Sequence, residues 1–106
     1  MQDIQVVTTN DLPGKKVKKV IGGISAITVY SPGFSRGIVG GLSSLARGEV
    51  DSFSKTLEEA REQVIGRLVE DAKQSGANAI LAVRFDSNTF NGLMEIYAYG
   101  TAVIVE

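Results

Sequence analysis

The 106-residue sequence contains neither cysteine nor histidine. Their absence excludes disulfide bonds, thiol nucleophiles, Ser-His-Asp machinery and zinc sites built from thiolate and imidazole. Proline is scarce, at 2 residues, and no apolar run approaches the ~18 residues of a membrane-spanning helix. Residues 1–10 lack the charged start and apolar centre of a signal peptide, so the sequence predicts a cytoplasmic protein without a membrane partner.

The residues that are present are typical of one globular domain. Hydrophobic residues make up 43% and charged residues 22% of the chain, which excludes disordered and low-complexity classes. At this length we expect a single domain over residues 1–106. The net charge of −1 argues against a nucleic-acid partner.

Charge is distributed unevenly along the chain. Residues 1–50 carry six Lys or Arg and three Asp or Glu, whereas residues 51–106 carry five and nine. Most of the basic excess comes from Lys15, Lys16, Lys18 and Lys19. These lysines have three interpretations: an anion-binding patch, a solvated strand end that discourages edge pairing, or a surface that steers one subunit toward the acidic half of the next.

Hydrophobic periodicity predicts the elements. Residues 4–9 and 16–30 are β-branched or alternating and predict two strands, the second bent or bulged at Gly22-Gly23. Residues 35–46 predict a short, glycine-rich helix that lacks a phosphate-loop motif. A single apolar stripe over residues 51–75 predicts a long helix, capped at Asp51 or Ser52 and stopped by Gly76.

The rest of the chain predicts a hairpin. Residues 78–88 and 93–106 flank Asn91-Gly92, a strong signal for a type I′ turn. Counting outward from that turn predicts which residues of the two strands pair. We expect one face of the hairpin to pack on the long helix, and to carry the pairs Phe85–Ala98, Val83–Gly100, Leu81–Ala102 and Ala79–Ile104. The other face carries Ile80, Ala82, Val103 and Val105, together with the pairs Arg84–Tyr99 and Asp86–Tyr97.

The second strand offers two apolar sides as well. Val20, Ile24 and Ala26 are predicted to point one way, and Val17, Ile21 and Ile27 the other. One long helix covers only one face of a four-stranded sheet, so the second face must meet either residues 31–50 or another copy of the chain. We expect the second copy, and therefore a homo-oligomer.

Several segments together resemble the YbjQ family of small bacterial and archaeal proteins. Residues 53–61 (FSKTLEEAR) are similar to the family's Y-x-x-x-L-x-x-A-R helix, and residues 76–80 (GANAI) to its G-A-N-A-[VI] motif. Residues 83–86 (VRFD) and 100–103 (GTAV) resemble its closing hairpin. The resemblance covers nearly the whole chain.

The resemblance implies an α+β, dodecin-like subunit: an antiparallel or mixed four-stranded sheet packed on one long helix plus a short helix. It also implies assembly into a ring, with a pentamer favoured, and it carries the label of heavy-metal binding. The chain departs from the family pattern at Phe53 instead of Tyr, at Gly37 instead of Asp after Arg36, and at Ala26-Ile27 instead of Gly-Glu. These departures remove charged and hydroxyl groups that could have formed a site.

The metal label conflicts with the donor set. Heavy metals select thiolate, thioether and imidazole ligands, and the chain offers only the thioethers of Met1 and Met94. Oxygen ligands such as Asp86, Glu95 and Thr101 suit a hard cation, best when they are repeated around a symmetry axis. No cofactor follows from the sequence.

The functional hypothesis is therefore a non-enzymatic, ring-forming binding or scaffold module. Any ligand, a small anion or a cation, is expected at a subunit interface or on the axis of the ring, near Arg84, Asp86, Tyr97 and Tyr99. The alternative interpretation of these four residues is ordinary cross-strand packing at a protein interface. Two alternatives stay open: a metal-binding protein, and an enzyme that uses Asp86, Glu95 or Tyr97 for acid-base chemistry with Arg84 as electrophile.

Overall fold

A computed structural model describes residues 3–30 and 47–106. These residues form a sheet of four strands and one helix: β1 (Gln5–Val6), β2 (Val17–Tyr30), α1 (Arg47–Gln74), β3 (Ala79–Phe90) and β4 (Leu93–Val105). The strand order is β1-β3-β4-β2. Because β1 runs parallel to β3 while the other neighbours are antiparallel, the sheet is mixed and the fold class is α+β, as predicted.

The long helix packs on one face of this sheet through the predicted stripe. Ala60, Val64, Leu68 and Ala72 are buried against the sheet, and Leu57, Ile65 and Val69 flank them. The helix ends where predicted: Gly76 has φ 91°, and the Ala77 amide donates to the Ala72 carbonyl at 3.0 Å. Its start was predicted wrongly, because the helix begins at Arg47, one turn before the expected caps Asp51 and Ser52.

The hairpin turn is confirmed. Asn91 and Gly92 have φ of 52° and 80°, the left-handed pair that a type I′ turn requires, and Phe90 pairs with Leu93. The register then follows the prediction as far as Arg84, which pairs with Tyr99.

Beyond Arg84 the predicted register is wrong by one residue. Ala82 has φ 54° and forms a β-bulge, so that Leu81 pairs with Thr101 instead of Ala102, and Ile80 with Ala102 instead of Val103. One extra residue in β3 exchanges the faces. Ile80 therefore packs against α1, whereas Leu81 and Ala79 join a second, smaller cluster.

That second cluster lies on the sheet face that α1 does not cover, which we call the outer face. Its buried members are Leu12, Ala79, Leu81, Val103 and Val105. The turn before β2 thus contributes Leu12 as a cover over one end of the outer face, which the sequence did not predict.

Strand β2 also bends where the glycine pair predicted. Register shifts occur between Val17 and Lys19 and between Val20 and Gly22, and Gly22 has φ 151°. The shifts reverse two predicted side-chain directions. Ile21 packs with Ile24 and Ala26 against the α1 core, and Val20 is exposed.

The predicted first strand, residues 4–9, is shorter in the structure. Only Gln5–Val6 pairs as a strand, although the carbonyls of Val7 and Thr9 accept hydrogen bonds from Val83 and Ala82 at 2.9 and 2.8 Å. The predicted short helix, residues 35–46, lies outside the described residues. Within the described residues, no helix is long and apolar enough to cross a membrane.

Candidate functional site

The four predicted site residues lie together on the outer face. In β4, Ile96 and Ala98 are buried against α1, so the alternating residues Tyr97 and Tyr99 point the other way. Arg84 is the cross-strand partner of Tyr99, and Asp86 is the cross-strand partner of Tyr97. The structure therefore brings the predicted group together.

The group is held by one side-chain hydrogen bond and one ring contact. The Tyr97 hydroxyl donates to Asp86 Oδ2 at 3.3 Å. The rings of Tyr97 and Tyr99 are stacked, with centroids 6.3 Å apart and planes at 29°. The second Asp86 oxygen, Oδ1, accepts from the Ser87 amide at 2.9 Å. Both carboxylate oxygens are thereby oriented by the protein.

Electrostatics within the group raise the pKa of Tyr97 above its ordinary value of 10.0. The negative charge of Asp86 is the largest cause, followed by partial loss of hydration and by the hydrogen bond to Asp86. Each of these favours the neutral phenol. Tyr97 therefore keeps its proton at neutral pH and acts as a hydrogen-bond donor.

Arg84 is positioned by the bulge and by the chain that follows β1. Its Nη1 donates to the Thr8 carbonyl at 2.8 Å and to the Val83 carbonyl at 3.1 Å. These bonds hold the exposed guanidinium against the backbone beside Tyr99. Because a guanidinium has five N–H donors, the remaining ones are available for an anionic group.

The outer face beside this group carries an apolar patch, which we call the outer patch. It consists of Val20, Ile27, Val29 and Tyr99, and their side chains are 61%, 46%, 55% and 44% exposed. Ile27 pairs with Tyr97 and Val29 with Glu95, which makes the patch continuous with the polar group. It borders β2, whose far edge pairs with no described strand.

On the other side of the sheet, a cleft of about 550 Å³ opens between the N-terminal half of α1 and the hairpin. Its apolar floor is formed by Leu57, Phe85, Met94 and Ile96, and Ser54, Glu58, Arg61, Asp86 and Ser87 complete the lining. The Arg61 guanidinium lies 5.8 Å from the centre of the Phe85 ring. This cleft was not predicted from the sequence, and Glu58 and Arg61 in its lining are both exposed.

The oxygen ligands expected for a hard cation do not converge within one subunit. Glu95 and Thr101 are six residues apart on β4, which is roughly 20 Å of strand. Among the described residues, no group of three or more Asp, Glu, His or Cys side chains could hold a metal ion.

The sequence profile of the YbjQ family, described as "Putative heavy-metal-binding", matches residues 4–106. The chain belongs to this family. A UPF0145 protein of Thermoplasma volcanium is 50% identical over 105 residues, covering 98% of this chain and 86% of the relative. A UPF0145 protein of Streptomyces coelicolor is 48% identical over 101 residues, covering 94% of this chain and 95% of the relative.

A solved structure supports the same fold. It is a protein of unknown function of the DUF74 family from Pediococcus pentosaceus, with a TM-score of 0.64 over 97% of this chain and 98% of that chain. Its sequence identity is 14%, so the likeness concerns the fold alone. The names of the two UPF0145 relatives and the description of this structure state no reaction, substrate or ligand.

The family's metal description does not fit the donors of this chain. A chain with no cysteine and no histidine has no thiolate or imidazole to select a soft or borderline metal. Met94 lines the cleft together with Leu57, Phe85 and Ile96, and none of the other lining residues carries a sulfur ligand. We therefore assign no metal to this member of the YbjQ family.

Proposed function

We propose that the protein is a non-enzymatic scaffold or binding module that assembles from identical subunits into a closed ring. The outer patch is the observation that carries this proposal. The outer face exposes Ile27 and Val29 near Tyr99, and Val20 further along β2, and exposed apolar surface gains free energy when a second copy covers it. A pentamer is the ring size that the YbjQ resemblance favours.

The shape of the subunit supports assembly. The Cα radius of gyration is 16.8 Å and the principal extents are 52 × 24 × 22 Å. A compact chain of this length has a radius of gyration of about 13 Å. Among the described strands, the outer edge of β2 has no neighbour, and an open strand edge of this kind can pair with another copy.

The ligand site of the proposed module is the group Arg84, Asp86, Tyr97 and Tyr99. These residues border the outer patch, so a neighbouring subunit that covers the patch would partly enclose them. Enclosure lowers the local dielectric and strengthens the hydrogen bonds that Arg84 and Tyr97 can donate. The ligand class that this favours is a small anion that accepts from both donors.

Sedimentation velocity at low micromolar concentration tests the assembly. We expect the wild type to sediment as a multiple of 11.3 kDa. Ile27→Lys should shift it toward the single subunit, because the substitution places a charge in the outer patch. Gln63→Lys is the matched control, since it adds the same charge at an exposed helix position. A wild type that sediments as one subunit at all concentrations contradicts the proposal.

Metal binding is the second candidate function, because the YbjQ description names it. Native mass spectrometry after chelation and reloading with zinc, copper or cadmium decides it. We expect no stoichiometric metal, because the chain has no soft nitrogen or sulfur ligand set. One retained ion per subunit or per ring would overturn this expectation.

An enzyme is the remaining alternative. Asp86, Tyr97, Glu95 and Arg84 share the outer face, but only Asp86 and Tyr97 are joined by a side-chain hydrogen bond. A substrate panel with Asp86→Asn as control tests it. Turnover that Asp86→Asn abolishes would contradict the non-enzymatic proposal.

A further inference from the structure

The edge of β2 that pairs with no described strand, which we call the open edge, is unevenly protected against strand addition. Its first part carries Lys18 and Lys19 and contains both register shifts, the second of which ends at Gly22. Charged side chains and bulges hinder the pairing of a further strand. The first part of the open edge is therefore a poor template for another copy.

The second part of the open edge, residues 23–30, has none of these features. It pairs with β4 in an unbroken register. Residues 24–30 (ISAITVY) contain no charged side chain, no proline and no glycine. An uncharged segment of about seven residues that is rich in β-branched side chains pairs readily with identical copies of itself when it lies at a sheet edge. This part of the edge therefore requires protection from elsewhere in the chain.

One side chain of α1 reaches this part of the edge. Arg67 Nη1 donates to the Ile27 carbonyl oxygen at 2.6 Å. Arg67 is exposed, and among the described residues it forms no ion pair with a carboxylate. The hydrogen bond to the β2 backbone therefore fixes the position of its guanidinium.

The Ile27 carbonyl points away from β4 and into the open edge. In an antiparallel pair, the backbone groups of successive residues point alternately toward and away from the partner strand. Because the two-residue turn makes Phe90 and Leu93 a hydrogen-bonded pair, odd-numbered residues of β4 bond to β3 and even-numbered residues bond to β2. Ile27 pairs with the odd-numbered Tyr97, so its amide and carbonyl point into the open edge, as do those of Ser25.

We propose that Arg67 prevents another copy of the chain from adding a strand to this part of the open edge. An added strand must donate to the Ile27 carbonyl and must lie in the space beside it. The guanidinium occupies both positions, and its displacement costs a charge-assisted hydrogen bond.

This inference goes beyond the proposed ring, because it concerns the open edge rather than the outer patch. Strand addition at an edge can continue from copy to copy without closing, whereas a ring has a fixed number of subunits. Protection of residues 23–30 by Arg67 thus leaves the outer patch free to associate while open-ended growth is blocked.

Sedimentation velocity of Arg67→Ala tests the inference. The variant should form species larger than the wild-type assembly, with association at the edge about tenfold stronger or more, because an added strand no longer displaces a charge-assisted hydrogen bond. Arg67→Lys keeps a charged donor and should sediment as the wild type does. Arg61→Ala is the matched control, since it removes the same charge from an exposed position of the same helix, where the guanidinium lies over the Phe85 ring.

A proline at position 25 shows whether the larger species form through the open edge. The Ser25 amide points into that edge, so Ser25→Pro removes a donor that β4 does not use and that an added strand requires. Ser25→Pro alone should sediment as the wild type does. In the double variant with Arg67→Ala, the larger species should disappear.

The outcomes separate this inference from the proposed function. If Arg67→Ala sediments as the wild type does, the guanidinium does not protect the edge and the inference is wrong. It is equally wrong if Arg61→Ala forms the same larger species, or if these species persist in the double variant with Ser25→Pro. A monomeric wild type contradicts the proposed ring alone, because Arg67→Ala should then still associate from single subunits.

Discussion

At the scale of single residues, Gly100 shows how closely β3 and β4 approach each other at the bulge. A Cβ atom at this position would lie 2.9 Å from Ile80 Cγ2, 2.9 Å from the Leu81 carbonyl oxygen and 3.0 Å from Val83 Cγ2. Backbone cannot move aside as easily as the end of a side chain. Glycine is therefore required at position 100 by contact, independently of its backbone conformation.

We expect Gly100→Ala to lower the free energy of unfolding by about 2 kcal/mol, because it overpacks the bulge. Urea denaturation followed by circular dichroism measures the change. Gly23→Ala is the matched control on the adjacent strand, since a Cβ there would meet only the Gly100 carbonyl oxygen, at 3.9 Å. Equal stability of the two variants would show that β3 does not press on Gly100.

The pair Asp86–Tyr97 gives a prediction about ionisation. Because the charge of Asp86 raises the pKa of Tyr97, Asp86→Asn should lower that pKa toward 10.0. Ultraviolet absorbance during an alkaline titration measures it, and subtraction of the Tyr97→Phe titration assigns the signal. Asp71→Asn, on the exposed helix surface, is the control and should leave the pKa unchanged.

The direction of the pKa shift of Tyr97 also determines how the stability of the folded protein changes with pH. A phenol whose pKa is higher in the folded protein than in the unfolded chain stabilises the fold at pH values below the unfolded pKa. That contribution is lost as the pH rises through the folded pKa of Tyr97. Loss of stability on alkaline titration should therefore be smaller in Asp86→Asn than in the wild type, and the reverse order would contradict the assignment.

At the scale of elements, the bulge in β3 decides which side chains reach each face of the sheet. Ala82 adopts φ 54°, a left-handed conformation that costs a residue other than glycine about 1–2 kcal/mol. The Ala82 amide donates to the Thr9 carbonyl at 2.8 Å, which holds the residue there. Without the bulge, Arg84 and Leu81 would lie on opposite faces.

Substitutions at Ala82 should reveal the bulge by the direction in which they change the free energy of unfolding. We expect Ala82→Val to lower the free energy of unfolding by about 1–2 kcal/mol, because a β-branched residue is disfavoured at positive φ. Ala82→Gly should leave it unchanged or raise it by a few tenths of a kcal/mol, since relief of strain exceeds the entropy that glycine loses. Thermal unfolding of the two variants measures both effects. In a regular strand the order would be opposite, with valine more stable than glycine.

The same bulge marks how far the sequence determines the fold. The Asn91-Gly92 turn and the helix stop at Gly76 were predictable because each is fixed by a few adjacent residues. Ala82 carries no such signal, because its positive φ is held by the hydrogen bond from its amide to the carbonyl of Thr9, a residue distant in the sequence. The faces of Ile80 and Leu81 were therefore predicted wrongly.

The same distinction applies to the candidate site, because one part of it could be predicted from the sequence and another part could not. The pairs Arg84–Tyr99 and Asp86–Tyr97 lie between the turn and the bulge, so counting from the turn was enough to predict them. The cleft was not predictable, because it depends on where the α1 axis crosses the hairpin, and no local pattern fixes that crossing. Glu58 and Asp86 line one cleft although 28 residues separate them in the sequence.

At the scale of the whole molecule, an elongated subunit with an exposed apolar patch should draw part of its stability from its neighbours. Folding and association are then coupled, so the melting temperature rises with protein concentration. For a pentamer, a hundredfold increase in concentration stabilises each subunit by about 2 kcal/mol. For a domain of this size, that gain raises the melting temperature by about 10 °C.

Differential scanning calorimetry of the wild type over that concentration range measures how far the melting temperature rises. In Ile27→Lys, which disrupts the outer patch, the melting temperature should rise much less with concentration. The variant should also melt below the wild type at high concentration and close to it at the lowest one, because dilution removes the same contacts that the substitution removes. A wild-type melting temperature that does not change over the hundredfold range would mean that the subunit folds without its neighbours. The outer patch would then have no part in holding the protein together.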